Sequence, residues 1–241
     1  MARIPESPEE IFAEFVEDYQ QVYGTDLQAV VLYGSGAKGE YVPKVSDINF
    51  LIVLSQSGID RLEEALDLVQ KWRKRNVAVP LFLTLEYIES ALDAFPIEFL
   101  GLQRHHKVVF GEDPLQHLEI KKDDLRLQVE RELRGKLLHL REGFLSTGQD
   151  RTALAQFLGA SVAAFASIFE GLLWLKGVEI PRGRTEVLAK TAQEFGLDGA
   201  VFTQVVNVRL GQWHGSKVQL QEIAKRYIAQ IKQLVEAVDK M

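Results

Sequence analysis

The chain contains no cysteine, and that single absence removes disulfides, thiolate metal sites and thiol nucleophiles from consideration. It is also short of positive charge. There are 28 Lys and Arg against 34 Asp and Glu, a net charge of −6, which argues against wholesale binding along a nucleic-acid backbone, although a local basic patch survives an acidic average. Lys71, Arg73, Lys74 and Arg75 form such a patch and read as the solvated end of a helix. No stretch reads as the unbroken apolar length of a membrane span, and residues 1–10 are too acidic and polar for a signal peptide. The expectation is a cytoplasmic protein with no membrane partner. Internal repeats and low-complexity tracts are missing as well. What is present is an ordinary globular composition, 46% hydrophobic and 26% charged over 241 residues, enough for two modest domains.

Ser7, Pro8, Glu9 and Glu10 read as a helix start, with a serine cap, proline at the first helical position and acids in the first turn. Ile11, Phe12, Phe15, Val16, Tyr19 and Val22 then recur at helical spacing until Gly24. Residues 27–33 are nearly continuous apolar and short, so they read as a buried strand that runs straight into Gly34-Ser35-Gly36. After a polar segment broken by Gly39 and Pro43, a second buried strand is expected over 47–54. A turn at 55–58 leads to an amphipathic helix over 59–75, with Leu62, Ala65, Leu66, Val69 and Trp72 on one face. Residues 77–85 read as a third strand, which Pro80 confines to an edge or a bulge. A short helix over 85–92 and a short strand at 108–110 complete this half.

Beyond about residue 119 the strand signals stop. Leu125, Val129, Leu133, Leu137, Leu140 and Phe144 mark one long helix, and Asp150 caps a second, running to about residue 176, that is apolar nearly all round and is the expected centre of a bundle. A loop over 177–184 precedes a helix ending at Phe195-Gly196, another starts at Asp198, and Ser216 caps the last, with Leu220, Ile223, Tyr227, Ile231, Leu234 and Val238 inward. Short connections imply antiparallel neighbours, hence a bundle of roughly five helices. The fold class is therefore α+β: a small mixed sheet with flanking helices over 1–118, followed by an all-α antiparallel helical bundle over 119–241.

The chemistry gathers where the two central strands meet the loop between them. Alternate residues of a strand share a face, so Asp47 and Asn49 are expected side by side at the head of the second strand, near a small-residue turn that could hold a phosphate. Gly-Ser turns are common, and an Asp before a strand is often only a turn residue. The functional reading rests on the combination of an apolar strand, Gly34-Ser35, a gap, and Ser46-Asp47-Ile48-Asn49 heading an apolar run.

Over residues 30–54 this pattern resembles the nucleotidyltransferase superfamily of the DNA polymerase β and kanamycin nucleotidyltransferase type, and the likeness extends more loosely over the first half of the chain. The helical second half is similar to the C-terminal bundle of kanamycin nucleotidyltransferase or to HEPN domains. The resemblance implies transfer of a nucleotidyl group from a nucleoside triphosphate to a hydroxyl acceptor. Gly34 and Ser35 would cradle the phosphates, Lys38 or Lys44 would add charge, and Asp47 with Asn49 would hold magnesium (Mg). This chain departs from the family at the second acid, where Asp or Glu is replaced by Asn49, a ligand without charge. The family's third carboxylate belongs on the strand at 77–85, which has no acid before Glu86 and only Thr84 as a polar side chain. Glu98, set among Phe95, Pro96, Ile97 and Phe99, is the candidate substitute as catalytic base, its plainer reading being a helix-surface or salt-bridged glutamate. Alternatives therefore stay open: an active transferase, in which a second subunit of a homodimer could complete the site as in kanamycin nucleotidyltransferase, or a catalytically degraded nucleotide-binding or regulatory protein.

A third reading comes from the helical half. HEPN ribonucleases use an arginine and a histidine four to six residues apart, and Arg209 and His214 fit that spacing once; the histidine would take the proton of a ribose 2′-hydroxyl and the arginine would steady the phosphate. The plainer role for His214 is packing or capping next to Ser216. Arg104, His105, His106 and Lys107 read as a solvated turn, and Phe169 and Trp174 as core.

Overall fold

The structure is a computed structural model describing residues 3–241. By its internal packing the chain divides into two units: the part up to Asp93 with Phe99–Ile120, and Ala94–Glu98 with Lys121–Met241.

The first unit grows from its apolar strands. These are β1 (Leu27–Tyr33), β2 (Asn49–Leu54), β3 (Leu81–Leu83) and β4 (His106–Gly111). β1 pairs antiparallel with β2 and β4, while β2 pairs parallel with β3, giving a four-stranded mixed sheet in the order β3-β2-β1-β4. Both faces are covered, which is why β1 and β2 are continuously apolar rather than alternating. On one face Val30, Leu32, Phe50 and Ile52 meet α1 (Phe12–Tyr23) and Trp72, with Phe15 stacked on Phe50 at 4.1 Å between ring centroids. On the other, Ala29, Val31, Leu51 and Val53 are packed by Ile88, Phe99, Leu102 and Leu115. Burying each such aliphatic or aromatic side chain contributes about 1.5–3 kcal/mol.

Several local expectations give way to tertiary structure. Ser7 makes no side-chain cap; a 3-10 turn over Pro8–Ile11 precedes α1. A short helical turn, α2 (Ser35–Lys38), follows β1. The helix expected over 59–75 is broken into α3 (Gln56–Ile59), a 3-10 turn at Leu62–Ala65, and α4 (Leu66–Arg73). Its N-terminal part is captured by Asp26, which accepts hydrogen bonds from Ser55, Ser57 and Arg61, and Leu66 is left 61% exposed instead of facing inward. The strand expected over 77–85 shrinks to β3, because Pro80 supplies no N–H and only an isolated bridge from Val77 to Ile48 precedes it. Thr84 then caps α5 (Leu85–Ser90), its hydroxyl accepting from the Tyr87 N–H at 3.1 Å. α6 (Pro96–Arg104), unannounced by any apolar spacing, leads directly into β4.

The second unit is helical: α7 (Lys122–Ser146), α8 (Arg151–Ala163), α9 (Ala166–Leu175), α10 (Arg184–Glu194), α11 (Gly199–Arg209) and α12 (Lys217–Val238). Its caps are the ones the residues announce. Asp150 accepts from the Thr152 and Ala153 amides, Asp198 from Ala200, and Ser216 forms a reciprocal capping box with Gln219. The single helix expected from Asp150 to about 176 is instead two, interrupted at Ala164 and Phe165, where the Phe165 ring packs on Phe169 and Tyr227. A further correction concerns membranes: Arg151–Leu175, whose most apolar window has a mean hydropathy of 1.7, is long and apolar enough by composition to cross one. Its most apolar window is 56% buried within the fold, as the central helices of a bundle are.

Candidate functional site

The register of the two central strands builds the site. Tyr33, the last residue of β1, stands opposite Asn49, the first of β2. Gly34 then turns the chain with φ +71° and ψ −145°, a region open to little but glycine. A β-carbon there would also lie 3.3 Å from Asn49 Nδ2. The glycine is thus demanded twice, by its own backbone and by the side chain across from it. α2 follows, closed by the Lys38 amide donating to Gly34 O at 3.1 Å and the Glu40 amide donating to Ser35 O at 2.9 Å. Its leading N–H groups, from Ser35 onward, have no partner within the helix itself. Gly36 keeps the turn close to the core, since a β-carbon would meet Leu32 at 3.2 Å and Pro8 at 3.3 Å.

The chain returns through a second turn, in which the Ser46 amide donates to Val42 O at 2.8 Å and Ser46 Oγ accepts from the Val42 amide at 3.2 Å. Lys44 sits there, exposed, with φ +66°. Lys38 is half-buried at the end of α2.

Asp47 is not part of β2. The strand starts at Asn49, and Asp47 lies exposed one step outside the ladder. Ile48, next to it, is fully buried and bridges Val77, its amide donating to Asn76 O and its carbonyl accepting from the Ala78 amide, each at 2.9 Å. Asn49, half-buried, donates from Nδ2 to the Asp47 carbonyl at 3.3 Å. Asp47 and Asn49 thus flank the bridged Ile48, the carboxylate exposed on the rim and the Asn49 amide tied to the carbonyl of Asp47.

No acid stands beside them on β3. Ile48 bridges Val77 and Leu51 pairs with Leu81, so the stretch running past Asn49 is Ala78-Val79-Pro80, without an acid; Val79 and Leu81 are 60% and 39% exposed. Thr84 is spent on its cap. Among the described residues no group of three or more His, Asp and Glu is placed to hold a metal. A donor set of one carboxylate and one amide oxygen fits a magnesium ion that keeps waters and phosphate oxygens in its shell, and does not fit two ions held by protein ligands alone.

Glu98 falls in the other unit, on the first turn of α6. Its carboxylate accepts from Gln128 Nε2 at 2.8 Å, and the buried Gln128 also accepts, on Oε1, from the Ile97 amide at 2.7 Å. Arg209, at the end of α11, lines a groove of about 550 Å³ with Arg151, Gln156 and Gly159, and its Nη1 is 3.5 Å from Gly159 O. His214 is exposed in the following loop, outside that lining. His106 is no solvated-turn residue: it belongs to β4, opposite Tyr33, with Nε2 3.0 Å from Asp113 Oδ2 and Nδ1 3.0 Å from Leu102 O.

Two neighbours of Asp47 carried no signal in the motif. The Tyr41 hydroxyl donates to Pro5 O at 3.1 Å. Burial pushes its phenol up, with a hydrogen bond from Asn76 acting downward and the nearby Asp47 charge upward. Asn76 itself follows the basic end of α4 with φ +66°. Asparagine just past a helix is a recognisable left-handed C-cap, and that was the available clue.

No protein-family model and no curated protein sequence matches this chain. Among solved structures it is similar to the crystal structure of spectinomycin adenyltransferase AAD(9) from Enterococcus faecialis with ATP and spectinomycin, with a TM-score of 0.55 and 14% identity, covering 92% of this chain and 99% of that one. At this identity the likeness is one of fold alone, which in this chain is a small mixed sheet followed by a helical region.

Proposed function

We propose that this protein binds a nucleoside triphosphate with magnesium at Gly34, Ser35, Asp47 and Asn49, and transfers a nucleotidyl group to a hydroxyl of a small acceptor, with release of pyrophosphate and the hydroxyl proton. The observation that carries this reading is the pairing of Tyr33 with Asn49, which sets the Gly34 turn directly against the Asn49 amide in a fold shared with a spectinomycin adenyltransferase crystallised with ATP and spectinomycin.

Each residue has a distinct task. Gly34 brings backbone close to the phosphates, and the Ser35 hydroxyl and the leading amides of α2 donate to phosphate oxygens. Lys38 and Lys44, from the two ends of the intervening loop, oppose the triphosphate charge. The Asp47 carboxylate and the free Oδ1 of Asn49 would hold the magnesium, which when bound neutralises the triphosphate and polarises the phosphorus under attack. With Asn49 in place of an acid, the protein presents one negative charge fewer to the triphosphate and grips the metal less strongly.

Calorimetric titration with each nucleoside triphosphate, with and without magnesium, tests the reading. Magnesium-dependent binding that is lost in Asp47→Ala supports it, and no binding with magnesium present sinks it. A second reading, nucleotide binding without transfer, is favoured by one observation: the segment from Val77 to Leu81, which bridges Ile48 at one end and pairs with Leu51 at the other, carries no acid. Labelled triphosphate separates the two, since label incorporated into a hydroxyl compound rules the silent form out.

A further inference from the structure

Among the hydrogen bonds that hold the backbone around Asp47 are the following three, two of them made by one residue remote in sequence. Asn76 Nδ2 donates to Ser46 O at 2.6 Å, and Asn76 O accepts from the Ile48 amide at 2.9 Å. The third runs from Asn49 Nδ2 to Asp47 O. Asn76 thereby grips the residues immediately before and after Asp47 and leaves the carboxylate exposed at the rim. Its own backbone is in the left-handed region, and among the described residues the other non-glycine with positive φ is Lys44, in the turn leading to the same segment. Positive φ away from glycine persists where surrounding contacts over-determine it, and such positions cluster at functional sites.

The identity of the side chain is constrained on both counts. Asparagine tolerates the left-handed conformation better than most residues, and its amide supplies the donor that the Ser46 carbonyl requires. Glycine would keep the backbone and lose the donor. Aspartate would keep the backbone and set an acceptor against an acceptor.

We infer that Asn76 is a positioning residue that orients Asp47 toward a divalent cation. The inference rests on the proposed role of Asp47 as metal ligand. Groups that hold a metal ligand in place typically alter metal affinity by about 10–100-fold when removed, although they touch neither metal nor substrate.

The test uses the full chain as wild type, Asn76→Gly, Asp47→Ala and the double variant, with Mn²⁺ alone as probe, read by paramagnetic broadening of the amides of residues 46–49 and by thermal midpoint. Asn76→Gly is expected to keep its midpoint close to wild type and to weaken Mn²⁺ binding about tenfold; in the Asp47→Ala background it is expected to add nothing. Asn76→Asp serves as second variant and should also weaken Mn²⁺ binding despite its added charge. Equal broadening in wild type and Asn76→Gly, no broadening in wild type, additive losses in the double variant, or tighter binding by Asn76→Asp would each overturn the inference. If magnesium triphosphates fail to bind wild type while Mn²⁺ still broadens residues 46–49 in an Asn76-dependent way, the nucleotide reading falls and the positioning role stands.

Discussion

The side-chain nitrogen of Asn49 stands 3.3 Å from the point a β-carbon on Gly34 would occupy, while the same nitrogen donates to the Asp47 carbonyl. One small contact therefore joins the turn after β1 to the backbone of Asp47. Gly34→Ala attacks it from one side. A residue forced into this backbone region costs about 1–3 kcal/mol, and a chain of this length loses about 2–4 °C per kcal/mol. A drop of several degrees in thermal midpoint, together with weaker triphosphate binding, is the expected outcome. An unchanged midpoint would contradict the geometry.

Asn49→Asp attacks it from the other side. A carboxylate oxygen would face the Asp47 carbonyl where an N–H now donates, removing a hydrogen bond and adding repulsion, at a cost of about 1–3 kcal/mol. The same change supplies the charge that a divalent ion prefers. The variant should melt below wild type in chelator and recover most of the gap in millimolar magnesium. Identical midpoints in both buffers would show that residue 49 faces no cation.

Gln128 carries more of the second unit's stability than its exposed partner Glu98. Truncating it to alanine leaves the buried Ile97 amide without its acceptor, an expected loss of about 1–3 kcal/mol. Glu98→Gln keeps a hydrogen-bonding group at an exposed position and should stay within about 0.5 kcal/mol of wild type. Urea denaturation of both variants decides the order, and the reverse ranking would be inconsistent with these hydrogen bonds.

Asp113 gives the first unit a measurable acid limb. Burial pushes its carboxyl up, yet hydrogen bonds from the His106 ring and the Leu115 amide bring it below the ordinary value. A carboxyl depressed in the folded state adds stability that is fully present above the unfolded pKa, about 3.9, and disappears as pH falls through the folded value. Asp113→Asn should thus be less stable than wild type near neutrality, with the difference closing below about pH 4. Urea midpoints measured from neutral to acid pH follow this, and a gap that stays constant with pH would exclude the mechanism.

What could be read from the residues alone was whatever local chemistry decides. The apolar run at Leu27–Tyr33 allows no amphipathic helix, and the caps at Asp150, Asp198 and Ser216 hydrogen-bond within their own first turns, so each is settled within a few residues. The broken helix after Ser55 is different. Its residues have helical spacing, but Asp26, some thirty positions earlier, collects Ser55, Ser57 and Arg61 and ends it. The same holds at the site. Gly34 and Ser35 are visible as a turn, whereas the backbone on either side of Asp47 is held by Asn76, whose bonds to Ser46 and Ile48 span about thirty residues. α6 was illegible because Pro96 and Ile97 begin it in one unit and Phe99 and Leu102 end it in the other, so its apolar residues share no single stripe.

β3 has a consequence for the life of the protein in a crowded solution. An edge strand with unpaired backbone groups is an invitation to strand-to-strand aggregation, and this one carries the exposed Leu81. It offers only three residues, immediately after Pro80, whose nitrogen has no hydrogen to donate. A foreign strand arriving there finds too short a ladder to hold, so this edge of the sheet has a built-in stop against growing from molecule to molecule.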